Sequence, residues 1–399
     1  MINSELLKKI KSGKFETPFY FYDLAQIELN YKALQGSLGP RFKIYYSMKA
    51  NPHPSILKRL LDIKSKLDIS SQGEMNKALS GGFLPQDLSF VGPGKSRNEL
   101  TEIIDKKIDL CVIESLDELQ IFSELAKDRN ARPKICLRVN PKSYIKSTGA
   151  KAESQPSHFG IDQDQLAAAA PLIGKNLHLA GLHFYLHSHF LNPEHIVANF
   201  SSFTEIAVEM QKAFSTQFEV LNFGGGFGIP YFIGQTGLDL KVLNRSIESF
   251  FKEPNSIALN ECQFCVESGR FIAGSSGYFV TRILYKKKSY GKNIYVCDGG
   301  MSQHQAATGV GQIIKRNYPI KTLTKKELQG DHVSVLKREP ASFVGPSCYS
   351  LDVLGNDVEA EELNPGDFVI LEQSGAYGPS FSPENFLSRQ KANEYTNEA

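Results

Sequence analysis

From Phe42 onward, short apolar runs alternate with longer segments whose apolar positions recur every three or four residues. The first run, residues 42–48, joins aromatic and β-branched side chains, and Ala50-Asn51-Pro52 stops it. Runs of the same character recur at 66–70, 88–91, 109–113, 135–140, 178–184, 220–223 and 263–267. Strands alternating with amphipathic helices imply parallel βα units, and eight such units close naturally into a (β/α)8 TIM-type barrel of the α/β class. An open doubly wound sheet is the alternative, which the count of eight disfavours. Past about residue 272 the pattern becomes strand after strand, at 278–284, 293–297, 332–337, 342–344 and 367–372, with no long helix among them. This is an all-β domain. Ahead of the barrel, residues 1–14 predict a short helix with Leu6, Leu7 and Ile10 on one face, and 17–22 predict a strand. That strand is a candidate member of the second sheet. The expected division is therefore a barrel over 28–271 and a C-terminal β domain over 272–399 to which 1–27 contributes. Residues 141–157 are polar and aperiodic after the fifth strand, a candidate lid loop.

Composition narrows the class only a little. A chain of 399 residues exceeds what one core organises, 41% hydrophobic with 22% charged residues is ordinary for a globular protein, and a net charge of +2 gives no reason to expect nucleic acid or an anionic membrane. No apolar run approaches a membrane span, and the lysine-rich start lacks the apolar core of a secretory signal. Cysteines such as Cys111, Cys136 and Cys297 fall in apparently buried strands, which suits a reducing cytoplasm. Cys262 and Cys265 form one CxxC without a second pair, a poor zinc or redox signal.

In a (β/α)8 barrel the C-terminal strand ends meet at one mouth, so residues far apart in sequence converge there. Those ends carry Lys49 after the first strand, Arg138 on the fifth, Tyr185 and Ser188 after the sixth, Gly224-Gly225-Gly226-Phe227-Gly228 after the seventh, and Glu267-Ser268-Gly269-Arg270 at the eighth. Taken singly, each has a bland reading: Lys49 is a solvated strand end, the glycines a tight turn. Together they match one cofactor. The glycines and Arg270 suit a phosphate, an amine at Lys49 suits an aldehyde held as a Schiff base, and Glu267 suits a pyridine nitrogen that must stay protonated. Pyridoxal 5′-phosphate has all three groups.

The motifs YYSMKANP, HFGI at 158–161, GLHF at 181–184, NFGGGFG at 222–228, ESGR at 267–270, DGGM at 298–301, GPSCYSLD at 345–352 and GAY at 375–377 run in order over nearly the whole chain. This set resembles the fold-type III pyridoxal-phosphate decarboxylases, the alanine-racemase-like family containing diaminopimelate and ornithine decarboxylases. The resemblance implies a lyase working through a Schiff base on Lys49 and a quinonoid intermediate. It implies that Arg138, Tyr185, Ser188, Gly225, Gly226, Glu267, Gly269, Arg270 and Tyr377 contact the cofactor. It further implies that Cys348, supplied by the second subunit of a homodimer, protonates the carbon that loses carbon dioxide, and that Asp352 lines the substrate side.

Three departures from the family pattern bear on function. Tyr185 stands where the family usually stacks a histidine on the ring, and His187 stands where it has a glycine. His183, His187 and His189 lack a ligand spacing, so no metal is expected. Most telling, Tyr349 follows the cysteine where diaminopimelate and ornithine decarboxylases carry an acid that meets the distal amine. The expected substrate is thus an α-amino acid, or an aminoacyl group, without a free distal amine. The GPxCxxLD form and the segment 311–319 also resemble secondary-metabolite decarboxylases, including those acting on carrier-protein-tethered substrates. Arg138 and the lysines of the 141–157 loop are candidates for an acidic carrier surface, or a solvated face. The alternatives are a diamino acid decarboxylase, an amino acid racemase, or a non-catalytic pyridoxal-phosphate-binding homologue.

Overall fold

The structure is a computed structural model that describes residues 2–185, 189–232, 234–308, 310–311, 316–330 and 338–398. The chain divides into two compact units, one of Glu28–Ile229 with Gly237–Phe271, the other of Met1–Ile27, Pro230–Thr236 and Ile272–Ala399.

The strands in chain order are β1 (Phe19–Tyr22), β2 (Phe42–Ser47), β3 (Lys66–Ile69), β4 (Leu88–Phe90), β5 (Leu110–Ile113), β6 (Lys134–Asn140), β7 (Ser143–Ile145), β8 (Lys151–Glu153), β9 (Ile161–Asp162) and β10 (His178–Phe184). They continue with β11 (Val220–Asn222), β12 (Gln263–Glu267), β13 (Gly277–Ser289), β14 (Lys292–Cys297), β15 (Ile320–Leu323), β16 (Glu339–Val344), β17 (Val353–Ala360), β18 (Phe368–Leu371) and β19 (Asn393–Thr396).

In the first unit β2 to β6 and β10 to β12 pair in parallel, and the pairing of β10 with β6 closes the barrel. That closure excludes an open sheet. Strands wrapped by helices are buried on both faces, and so they read as unbroken apolar runs; β5, Leu-Cys-Val-Ile, is buried at every position. The connecting helices start where the sequence provides caps. Ser96 and Glu99 form a capping box before Arg97–Asp105, and Ser115 accepts from the Glu118 amide before Leu116–Asp128. The helix Pro193–Phe214 begins at Asn192 with proline in its first turn, and it lays Phe200 and Phe203 against the strands. Phe203 stacks on Phe184 at 4.2 Å and Phe200 lies 4.4 Å from Phe223, within a cluster that includes Phe42, Phe250 and Phe264. Each such ring contributes about 1.5–3 kcal/mol by burial.

Residues 141–157 contain a small hairpin, β7 with β8, rather than an irregular loop. Asn199 on the long helix donates to the Ile145 carbonyl and accepts from its amide, both at 2.9 Å, which docks the hairpin.

In the second unit the sheet runs β15-β18-β13-β14-β16-β17, with β1 antiparallel to β13 and parallel to β19. All four residues of β1 are buried: the strand pairs on both edges, Phe19 and Phe21 pack with Leu6 and Ile10 of the N-terminal helix on one face, and Tyr20 packs against Phe279 and His304 on the other. The segment Pro230–Thr236, which periodicity assigns to the barrel, joins this unit through Tyr231, whose ring lies 4.8 Å from Tyr318. Strands β15, β17 and β19 are additional to the pattern read from sequence, and the strand expected at 332–337 lies outside the described residues. Among the described residues no helix is long and apolar enough to cross a membrane.

Candidate active site

The apolar run of β2 ends in one turn of 3-10 helix, Met48–Ala50, which presents Lys49. That turn is held from both sides. Tyr46 donates its hydroxyl to the Asn51 carbonyl at 3.0 Å, and the Asn51 side chain accepts from the His53 amide at 3.0 Å, just before the helix Pro54–Asp62. The Lys49 side chain is about half exposed, and its Nζ lies 3.2 Å from Oδ2 of Asp68, a fully buried carboxylate near the end of β3. Burial pushes the Asp68 carboxyl up, the charge of Glu267 pushes it further, and Lys49 offsets part of this.

Glu267 ends β12 and is buried. Its Oε1 accepts from Nε2 of His183 at 2.8 Å and from Nδ2 of Asn222 at 3.0 Å. Burial alone would raise this carboxyl, but His183, then Lys49 and Arg138, hold it below the usual carboxylate range. The two buried carboxylates flanking Lys49 are therefore driven in opposite directions, the pattern of groups with different proton duties.

After β11 the glycine run needs its glycines for reasons of space. Gly224 and Gly226 have φ of +70° and +119°, and a Cβ on Gly224 would lie 2.1 Å from the Phe184 carbonyl oxygen. A Cβ on Gly225 would lie 2.8 Å from the Glu267 carbonyl oxygen, and one on Gly269 would lie 2.6 Å from Cβ of Ala50. The stripped backbone at Gly225, Gly226 and Gly269 suits an anion that must sit close to it. Tyr185 feels Lys49, Glu267, Arg270 and Arg138, although burial is the largest influence and raises its hydroxyl. The barrel thus gathers Lys49, Arg138, Tyr185, Glu267 and Arg270 within electrostatic reach of one another. Ser188, with His187, lies outside the described residues.

Arg138 differs from expectation in one respect. It is buried, donates to Oε1 of Glu114 at 2.7 Å, and lies 4.5 Å from the Phe159 ring and 5.6 Å from the Tyr185 ring. A guanidinium so enclosed is not available to an acidic protein surface. Glu114 also accepts from the Gly160 amide at 3.0 Å, which ties down the HFGI loop. Of the loop lysines, Lys142 pairs with Asp164 at 2.5 Å.

The other unit carries Cys348, exposed on the loop after β16. Asp352 shapes this loop. It is buried, with Oδ1 accepting from the Met301 amide at 2.7 Å and Oδ2 from the Ser347 amide at 3.0 Å. The Pro346 carbonyl accepts from Arg389 at 2.6 Å, and the Tyr349 ring meets Phe386 edge-on at 6.4 Å. Tyr349, Leu351 and Phe386 are all exposed beside the thiol. Tyr377 is half-buried in this unit with φ of +57°.

Sequence reasoning missed Asp68, Glu114 and Asn222 as parts of the site. The signal was available, since each lies at or just after the C-terminal end of a barrel strand. His183 carries no role in the sequence reading beyond a histidine without ligand spacing, and the structure pairs it with Glu267.

Residues 24–274 match the family described as pyridoxal-dependent decarboxylase, pyridoxal binding domain. The chain is 33% identical over 377 residues, 94% of its length and 87% of the relative's, to the L-glutamyl-[BtrI acyl-carrier protein] decarboxylase of Niallia circulans. It is 28% identical over 389 residues, 96% of its length and 94% of the relative's, to the 2-[(L-alanin-3-ylcarbamoyl)methyl]-2-hydroxybutanedioate decarboxylase of Staphylococcus aureus. Diaminopimelate decarboxylase from Helicobacter pylori, solved with L-lysine, superposes with a TM-score of 0.84 at 26% identity, covering 98% of this chain and 93% of that one.

Proposed function

The chain belongs to the pyridoxal-dependent decarboxylases, and we propose that it decarboxylates an α-amino acid whose far end bears no free amine, with an aminoacyl group tethered to a carrier protein as the leading candidate. It is a lyase that binds pyridoxal 5′-phosphate. When bound, the cofactor supplies an electron sink for the pair left behind as carbon dioxide departs.

The chain's own residues do the rest. Lys49 is the attachment point for the cofactor's aldehyde carbon, and Asp68 holds the lysine Nζ in place beforehand. Glu267 keeps a proton at the ring nitrogen, for which its Oε2 remains once Oε1 has taken His183 and Asn222. The amides around Gly225 and Gly226, with Arg270, bind the phosphate. The ring of Tyr185 offers a face to stack on but no proton near neutrality, because burial raises its hydroxyl. Cys348, from a second copy of the chain, delivers a proton to the carbon that loses the carboxylate. General acid assistance of this kind contributes about 10²–10⁴ in rate.

One observation carries the substrate reading. Asp352 is the only acidic residue between Gly345 and Leu354, and both its oxygens are occupied by backbone amides. The side chains exposed next to Cys348 in this loop are Tyr349, Ser350 and Leu351, none of which carries the charge that a carboxylate would set against an ammonium. A distal ammonium without its partner loses about 1–3 kcal/mol, one to two powers of ten in specificity. The Niallia circulans relative, named for a glutamyl group on an acyl-carrier protein, supports the same reading. Comparing kcat/KM for diaminopimelate, free glutamate and a carrier-bound glutamyl thioester tests it. The thioester should lead and diaminopimelate should trail; a preference for diaminopimelate would overturn the assignment.

A further inference from the structure

His183 is one of the buried titratable groups at the barrel mouth that the proposed reaction leaves without a duty. Its side chain is fully buried, as is that of Asn222, and Glu267 is nearly so. The three stand on adjacent strands, β10, β11 and β12, with His183 in register with Asn222 and Asn222 in register with Cys265, two residues before Glu267. Both hydrogen bonds from these neighbours end on the same oxygen, Oε1. Asn222 has no freedom in the matter, because its Oδ1 accepts from the Gly224 amide at 2.9 Å and so turns Nδ2 toward the carboxylate. The Nδ1 atom of His183 is buried without a hydrogen-bond partner. Leaving a polar atom in that condition costs about 1–3 kcal/mol, more than a space-filling Leu or Phe would cost there.

We infer that His183 is a positioning residue for the cofactor ring: by donating Nε2–H to Oε1, it fixes Glu267 as an ionised acceptor with Oε2 directed to the ring nitrogen. The hydrogen-bond chemistry leaves little choice of role. An ionised carboxylate only accepts, so the imidazole must be the donor in this pair. With the donor removed, Glu267 would face burial and the nearby Asp68 carboxylate with less to oppose them. A neutral Glu267 could present O–H to the ring nitrogen instead of accepting N–H from it. The direction of that one hydrogen bond decides whether the ring draws electrons strongly. Tyr185 gives no help, since it stands where an imidazole could have faced the ring. The inference concerns the cofactor alone and is independent of the identity of the amino acid substrate.

Affinity for the cofactor measured against 1-deazapyridoxal phosphate, which has carbon in place of the ring nitrogen, isolates this interaction. Titrating the cofactor-free protein with each compound gives a ratio of dissociation constants that needs no turnover. Wild type should favour pyridoxal phosphate at least tenfold. His183→Gln, long enough to donate to Glu267, should keep the ratio within threefold of wild type. His183→Asn is too short and His183→Leu has no donor, so each should bring the ratio close to unity while phosphate-dependent binding persists. A ratio unchanged in folded Asn or Leu variants overturns the inference. Should neither variant fold, the ¹⁵N spectrum of His183 in the wild type decides. A proton on Nε2 with Nδ1 bare is the required state, and a bare Nε2 overturns it.

Discussion

Replacing Asp352 separates two duties that the same residue could have. The family resemblance implies that it lines the substrate side, whereas its contacts are those of a clasp. Its carboxylate is buried and accepts two backbone hydrogen bonds, from Met301 at 2.7 Å and Ser347 at 3.0 Å. A Cβ on Gly345 would lie 2.2 Å from Oδ1 and one on Gly300 2.4 Å from it, so the glycine backbones close around the carboxylate. Hydrogen bonds to an ionised acceptor contribute about 1.5–3 kcal/mol each. Asp352→Ala leaves two amides without acceptors and should cost about 3–6 kcal/mol of stability. Asp352→Asn keeps one acceptor and turns an NH2 toward the other amide, for about 1.5–3 kcal/mol. Urea unfolding of the cofactor-free protein reads these values directly, and wild-type KM in whatever variant stays folded should accompany them. Stability within 0.5 kcal/mol of wild type (about the scatter of an ordinary surface substitution) together with a large rise in KM would refute the clasp and restore a substrate-contacting carboxylate.

Borohydride treatment of the cofactor-loaded protein should fix the adduct to the Lys49 peptide, and an adduct at another lysine would remove Lys49 from its role. Mixing Lys49→Ala with Cys348→Ala should restore part of the activity as subunits exchange; no recovery in a demonstrated heterodimer would put both residues in one chain's site. Phe223→Ala opens the aromatic cluster where Phe200 and Phe264 pack at 4.4 and 5.2 Å, and should cost about 3–5 kcal/mol by denaturant unfolding. The two carboxylates beside Lys49 should titrate with opposite signs. Glu267, held low, contributes stability present above its unfolded pKa and lost as pH falls through its folded one, so Glu267→Gln should destabilise at neutral pH and converge with wild type in acid. Asp68, held high, costs stability in full above its folded pKa, and that cost shrinks as pH falls below it and is gone below the unfolded pKa. Asp68→Asn should therefore stabilise the cofactor-free protein at neutral pH and converge in acid; parallel profiles for the two variants would contradict the arrangement.

The barrel was legible because a parallel strand buried on both faces is written as a local apolar run. All eight predicted runs, from 42–48 to 263–267, fall on barrel strands with ends within a residue or so. Strands made by their neighbours leave no such trace. Asn393–Thr396 reads Asn-Glu-Tyr-Thr and is extended because it pairs with β1, itself a dense run of buried aromatics. Val353–Ala360 includes Gly-Asn-Asp, which reads as a turn. The structure absorbs it as an irregularity in the pairing with β16, with Asp357 at φ of +51°. The hairpin within 141–157 was hidden for the same reason: its anchor is Asn199, more than forty residues away on the long helix.

The candidate site was legible where the chemistry belongs to a residue type and illegible where it belongs to a pair. Lys49 and the glycine run, bland one at a time, name an amine and a stripped backbone by residue type once the barrel brings them to one mouth. Asp352 declares only a carboxylate. Whether it meets a substrate or two backbone amides depends on how Met301 and Ser347 fold around it, and no spacing encodes that. Arg138 illustrates the same limit in reverse. A guanidinium near a strand end suggests a partner in solution, yet Glu114, one strand away, already holds it at 2.7 Å, and the rings of Phe159 and Tyr185 lie 4.5 and 5.6 Å from it. The cation therefore faces inward, within 5.6 Å of the Tyr185 ring, and any acidic partner of this protein must be met by other charges.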